Sequence, residues 1–247
     1  MARQAPRRPQ LGFWLMTESH AALEIARIAG FELVILDMEH GALSAEAADV
    51  IVPLAKGLGL AVYSRVAAAE RVPIQKALDS GADGVIIPQI RDLAHARAVT
   101  AFAKFPPLGT RGLGFSRADG YGSNAKDFVR RENRRTLCLP MVETPGALAD
   151  ADEIAALATV DGLFLGPSDL SLTRGRGALK LDAADFRDAR RVARAAKGAG
   201  KLFTLSGASD KSRRFAVREG ASFIGAYDDL TALVDGFARG ARPLPKG

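Results

Sequence analysis

"LVILDMEHG", residues 33–41, decides how the rest of the chain is read. Four apolar residues run directly into Asp37, Met38, Glu39, His40 and Gly41. The run is apolar on both faces, as in a parallel strand covered by helices. It then delivers two carboxylates and an imidazole at its exit. Parallel α/β sheets place their chemistry at the carboxyl ends of the strands, so this stretch has the form of a strand that feeds a site.

Seven further runs have the same form: "GFWLM" (12–16), "LAVYSR" (60–65), "GVIIP" (84–88), "LCLPMVE" (137–143), "GLFLG" (162–166), "LFTL" (202–205) and "FIGAY" (223–227). Helical spacing lies between most of them, as in Ala22, Ile25, Ala26 and Ala29, or Phe186, Ala189, Val192, Ala193 and Ala196. Glycine stop signals precede the strands in "AGFE", "GLGLA", "SGADG", "GAGK" and "EGAS". Ser19, Ser44, Asp182 and Ser209 are placed to cap helices. Eight strands alternating with helices predict a single-domain (β/α)8 TIM barrel over residues 11–247, with residues 1–10 as a flexible tail. A doubly wound open sheet is the alternative. It usually carries a phosphate-binding glycine fingerprint after the first strand, and "LMTESHAAL" has none.

The totals fit that class. The 247 residues are 48% apolar, enough for one large core, and the formal net charge is +6. Cys138 is the only cysteine, which excludes a disulfide framework and a cysteine-based zinc site and fits a reducing, cytoplasmic setting. No apolar stretch approaches the ~20 residues of a membrane helix. The basic cluster "RRENRR" (130–135) reads as a solvated helix end rather than a nucleic-acid patch. Neither a nucleic acid nor a membrane is expected as a partner.

The strand ends carry acids, His40 and Arg65, but no lysine. A Schiff-base aldolase needs a buried amine at such a position. Any carbonyl chemistry here must therefore use a metal ion or a hydrogen-bond donor as electrophile. Glu143 and Asp169 follow consecutive strands, whose ends lie about 5 Å apart. Two carboxylates without nearby histidine or cysteine suit a hard divalent ion; otherwise each caps a local turn. In "GPSDLS", Gly166 and Pro167 form a turn after which the amides of Ser168 and Asp169 point outward as a carboxylate or phosphate cradle. Arg65 needs a partner at the end of a core strand, either Asp37 or Glu39, or a substrate oxygen, or both. His40 is either a base or a structural histidine. His20 lies near the same rim, and Asp79 lies near a helix end.

"LDMEHG", "YSRV", "ALDSGADGVIIPQI", "PPLGTRGLG", "PMVET" and "GPSDLS", in this order, resemble the HpcH/HpaI aldolases over about residues 11–240. These are class II, metal-dependent pyruvate aldolases. The resemblance implies a barrel assembled as a homohexamer, a trimer of dimers, with the last helix exchanged between subunits. It implies that Glu143 and Asp169 hold Mg²⁺, Mn²⁺ or Co²⁺, and that a 2-oxo acid rests on Gly166, Pro167, Ser168 and Asp169. Arg65 would touch the keto oxygen, and His40 would be the base, oriented by Asp79. Asp37 and Glu39 would support Arg65 and His40. Loops around 108–125 and a neighbouring subunit would shape the aldehyde half of the pocket. The reaction implied is reversible cleavage of a 4-hydroxy-2-oxo acid to pyruvate, or a related 2-oxo acid such as hydroxypyruvate, and an aldehyde. One departure is Met141, where the family often has glutamine. It keeps a second enolate chemistry open, citrate-synthase-like or using oxaloacetate, beside a non-catalytic metabolite-binding barrel.

Overall fold

The computed structural model describes residues 8–123 and 127–241. Its first half runs β1 Gln10–Leu15, α1 His20–Ile28, β2 Leu33–Asp37, α2 Ala45–Gly57, β3 Ala61–Arg65, α3 Arg71–Asp79, β4 Gly84–Ile87 and α4 Leu93–Thr100. It continues with α5 Phe128–Arg135, β5 Leu137–Val142, α6 Pro145–Ala149, α7 Ala151–Ala156, β6 Gly162–Leu165 and α8 Pro167–Thr173. The last elements are α9 Ala183–Gly198, β7 Leu202–Ser206, α10 Asp210–Arg218, β8 Phe223–Asp228 and α11 Asp229–Gly240. The strands are parallel and close in the order β1 to β8. Closure is made by β1 on β8, from Gln10 opposite Phe223 to Trp14 opposite Asp228, with a register shift between Gly12 and Phe13. The (β/α)8 barrel expected from the sequence is the fold.

The same local signals that mark the strands also set them. Gly30, Gly59, Gly81, Gly200 and Gly220 all have positive φ, between 61° and 98°. Each ends a helix in the left-handed conformation that costs glycine no Cβ clash, and the chain then turns into a strand. Ser19, Ser44, Asp182 and Ser209 each accept an amide of the first turn of α1, α2, α9 and α10. Inside the barrel, Trp14, Ile35, Tyr63, Met141, Phe164 and Phe223 pack together. Tyr63 stacks on Phe223 at 4.9 Å, and Trp14 meets Phe164 edge-on at 5.8 Å. This filled interior makes the barrel a core rather than a pore and leaves the strand ends as the site.

Three expectations are adjusted. Gln10 already belongs to β1 and Arg8 pairs with Glu32 at 2.7 Å, so the barrel begins inside the expected tail. Residues 1–7 of that tail lie outside the described residues. "RRENRR" is a helix end, but not a wholly solvated one. Glu132 is 1% exposed, with Arg135 at 2.8 Å and Arg111 at 3.9 Å. Arg135 also reaches Asp83 at 2.6 Å. A buried carboxylate needs such partners, and they come from segments far away in the sequence. Third, the 108–123 segment joins α4 to β5 and so begins and ends at the amino-terminal side of the barrel. It bonds to α3 through Arg71, Gln75 and Asp79 and lines none of the strand-end cavity within this chain. Residues 124 and 125 lie outside the described set. No helix among the described residues is long and apolar enough to cross a membrane.

Candidate active site

A cavity of about 300 Å³ opens at the carboxyl ends of the strands. Trp14, Met16, Asp37, His40, Arg65, Met141, Gly166, Pro167, Ser168, Asp169, Ser206 and Asp228 line it. Register explains the first grouping. Asp37 lies opposite Arg65 across β2 and β3, so the last residues of the two strands meet. Nε of Arg65 donates to Asp37 Oδ1 at 2.9 Å, and a second guanidinium nitrogen donates to Oδ2. The remaining nitrogen faces Glu39 Oε2 at 3.3 Å, and the guanidinium carbon lies 4.8 Å from the Trp14 ring. Arg65 is 7% exposed. A fork held in this way is presented to the cavity in one orientation.

Asp37 also organises the turn behind it. Its Oδ1 accepts the amides of Glu39 and His40 at 3.2 and 3.1 Å. The His40 ring is more than half exposed, and its Nε2 lies 3.8 Å from Glu39 Oε2. Burial pushes the Glu39 carboxyl up from its ordinary value, opposed by the charges of Arg65 and His40.

The other side of the cavity is built from β5 and β6. Glu143 is 1% exposed. Its Oε1 accepts the Gln89 amide at 2.6 Å, while its Oε2 is buried without a hydrogen-bond partner among the described residues. Gln89 reaches it from a left-handed conformation, φ 54°, at the end of β4. Burial, with help from the charges of Glu39 and Asp169, raises the Glu143 carboxyl to about 7. Asp169 lies in the first turn of α8, which opens with Pro167 after Gly166. The amides of Ser168 and Asp169 are thus first-turn donors without an intrahelical acceptor. Thr173 ties α8 to the site by donating to the Glu143 carbonyl at 2.9 Å. Gly166 is required by contact: a Cβ there would lie 2.6 Å from Met141 Cε and 2.8 Å from Glu143 Oε2.

A buried carboxylate oxygen without a donor is costly unless a cation or a proton satisfies it. Glu143 Oε2, with Asp169 beside it, therefore fits a hard divalent ion. Among the described residues no group of three or more His, Cys, Asp or Glu side chains forms a fuller cage. The protein contribution is an open carboxylate pair, as for ions that keep water or substrate ligands.

One sequence expectation, Asp79 as the partner of His40, is not met within the chain, and one open position, His20, is placed. Asp79 ends α3, at the side of the barrel away from the strand ends, and its carboxylate takes Arg111 at 2.7 Å. It does not orient His40 there. His20 opens α1 as an exposed residue and does not line the cavity. Trp14, the Gln89 amide and Asp228 are site features that strand patterning did not single out.

Comparisons with known proteins give the family. A family model described as HpcH/HpaI aldolase/citrate lyase matches residues 10–234. A 2-dehydro-3,6-dideoxy-6-sulfogluconate aldolase of Pseudomonas putida is 39% identical over 166 residues, covering 67% of this chain and 65% of that protein. A hydroxypyruvate/pyruvate aldolase of Deinococcus radiodurans is 35% identical over 248 residues, covering 96% and 84% of the two chains. The crystal structure of an HpcH/HpaI aldolase from Desulfitobacterium hafniense superposes with a TM-score of 0.86 at 27% identity, covering 97% of this chain and 95% of that one.

Proposed function

The chain belongs to the HpcH/HpaI aldolase/citrate lyase family, and from that premise we propose how its site works as a carbon–carbon lyase. It is an aldolase that reversibly cleaves 4-hydroxy-2-oxo acids to pyruvate, or a related 2-oxo acid such as hydroxypyruvate, and an aldehyde. Relatives named hydroxypyruvate/pyruvate aldolase and 4-hydroxy-2-oxovalerate aldolase support that reading.

The finer assignment rests on one observation above the rest: the buried Oε2 of Glu143, without a donor among the described residues, lies against Gly166, which lines the same cavity as the fixed Arg65. Glu143 and Asp169 hold a divalent ion, Mg²⁺, Mn²⁺ or Co²⁺. When bound, the ion supplies Lewis acidity toward the 2-oxo acid. The amides of Ser168 and Asp169 hold the substrate carboxylate, with Gly166 and Pro167 shaping the turn. Arg65 faces the keto oxygen and stabilises the charge that grows there when the carbon–carbon bond breaks. Asp37 keeps the guanidinium in that pose. His40 takes the 4-hydroxyl proton during cleavage and the methyl proton of pyruvate during synthesis. Purified protein supplied with 4-hydroxy-2-oxo acids is expected to release pyruvate or hydroxypyruvate. Failure to release a 2-oxo acid from any of them, with each divalent ion tested, would contradict the proposal.

Met141 favours one second reading, because it lines the cavity with a thioether that cannot donate a hydrogen bond. That reading is enolate chemistry with another acceptor, citrate-synthase-like or using oxaloacetate. Turnover in a panel of donors and acceptors separates the two.

The chain also works as a hexamer in this proposal, with α11 exchanged between subunits. Leu233, Val234 and Phe237 on α11 are 49%, 66% and 73% exposed, an apolar face that wants cover. Light scattering is expected to return six chains; a monomer at micromolar concentration would contradict it.

A further inference from the structure

We infer that Asp229 is a positioning residue for the reaction, holding the turn that carries His40. The inference rests on the proposed reading of His40 as the base.

Asp229 lies at the start of α11 and is 6% exposed. It neither lines the cavity nor pairs with a cation in any described ion pair. Its carboxylate instead collects donors from the opposite end of the chain. Oδ1 accepts the Met16 amide at 2.8 Å, and Oδ2 accepts the Thr17 amide at 3.1 Å together with the Thr17 hydroxyl. These bonds span the seam where β1 closes on β8, just beyond the last paired residues Trp14 and Asp228. They fix where the chain leaves β1.

The exit of β1 in turn holds the His40 turn. The Met16 carbonyl accepts the Ala42 amide at 2.7 Å. Gly41 packs so closely that a Cβ there would lie 2.9 Å from the Met16 carbonyl oxygen and 2.4 Å from that of Asp37. The Gly41 amide donates to the Asp37 carbonyl at 3.1 Å, and the His40 amide donates to Asp37 Oδ1 at the same distance. The turn has one anchor on β3, where the Arg65 carbonyl accepts the Met38 amide at 2.9 Å, and two at its His40 end. Asp37 holds that end from β2, and Met16 holds it from β1. Asp229 sets the Met16 anchor. The His40 ring itself is more than half exposed, with Glu39 Oε2 3.8 Å from its Nε2, so its position follows chiefly the backbone of the turn.

A carboxylate is needed for this task. Four donors converge on two oxygens, the fourth being the Leu230 amide at 3.1 Å from Oδ1, and a carboxylate accepts from all of them. An amide would turn its own NH₂ toward a donor. Charge-assisted bonds of this kind are also shorter and stiffer than neutral ones. A base displaced by as little as 1 Å can lose about a hundredfold in rate.

The test is Asp229→Asn, with turnover measured on the 4-hydroxy-2-oxo acid that the wild type cleaves and amide hydrogen exchange measured residue by residue. The expected result is a kcat about 10- to 100-fold lower, with KM changed less than threefold and Mn²⁺ affinity unchanged. Exchange is expected to quicken at Gly41 and Ala42, while Ser64 and Val85 in β3 and β4 stay protected. Thr17→Val, which removes only the hydroxyl, is expected to give a smaller loss of the same kind, and Thr17→Ser is expected to retain wild-type kcat. The Thr17 pair carries the test if Asp229→Asn does not fold. Wild-type kcat in Asp229→Asn, or in Thr17→Val where that pair carries the test, overturns the inference. So does a lower kcat with unchanged protection at Gly41 and Ala42, or with protection lost throughout the barrel. His40→Ala distinguishes this failure from failure of the underlying reading. If that variant turns over at the wild-type rate, His40 is not the base and both fall; if it is inactive, only the positioning role of Asp229 is at stake.

Discussion

Glu143→Gln is expected to abolish divalent-ion binding and to lower turnover by about a thousandfold or more. The carboxylate is one of the two that the proposal gives an ion, and among the described residues its Oε2 has no hydrogen-bond partner. Lewis-acid stabilisation of several kcal/mol is lost with the ion, and each 1.36 kcal/mol is about tenfold in rate. Stability is expected to move the other way. Burial raises the Glu143 carboxyl from 4.5 to about 7. A carboxyl whose value is higher folded than unfolded binds a proton on folding, so its contribution to stability falls as pH rises from about 4.5 through 7. Glutamine is neutral throughout. The metal-free variant should therefore melt at or above the wild-type temperature at pH 8, while failing to bind Mn²⁺ by calorimetry. In the wild type, the proton and the ion compete for one carboxylate, so ion affinity should weaken as pH falls below about 7. A Gln variant that binds Mn²⁺ like the wild type would remove Glu143 from the ion site.

Arg65→Ala is expected to damage both stability and rate. Asp37 is 1% exposed, and its two oxygens are committed to the Arg65 fork. Removing one member of a buried ion pair leaves an uncompensated charge and typically costs about 3–5 kcal/mol. The same change removes the donor that faces the keto oxygen, with a rate loss of about 10²–10³. Arg65→Lys separates the two effects. Lysine keeps the charge but cannot reach both carboxylate oxygens in a planar fork. It is expected to recover most of the melting temperature and little of kcat. A Lys variant with wild-type kcat would show that any cation suffices, and that the fixed orientation carries no weight.

The barrel was legible in the sequence because its signals are local. Eight apolar runs, five glycine stops and four polar caps each depend on neighbours within a turn or two, and all appear in the structure at the expected places. The strand-end rule then brought Asp37, His40, Arg65, Glu143 and Asp169 to one rim without knowledge of any side-chain contact. What the sequence hid depends on closure. Trp14 sits within a run that is apolar on both faces, so periodicity could not say that its ring turns inward to meet Arg65. Asp229 is separated from Met16 by 213 residues, and only the join of β1 to β8 brings them together. Gln89 matters through its backbone amide, which no residue type advertises. Within the chain Asp79 does not reach His40 for a related reason: α3 runs back toward the amino-terminal side, and Arg111, from an irregular segment, pairs with the carboxylate there.

The enolate half-reaction tests the central claim without requiring the identity of the aldehyde. Pyruvate incubated with the protein in D₂O should exchange its methyl protons for deuterium, as followed by proton NMR. The account predicts exchange with Mg²⁺ or Mn²⁺, loss of exchange on chelation, recovery when the ion is restored, and none in His40→Ala or Glu143→Gln. Exchange that continues at full rate after rigorous chelation, or in either variant, would contradict it.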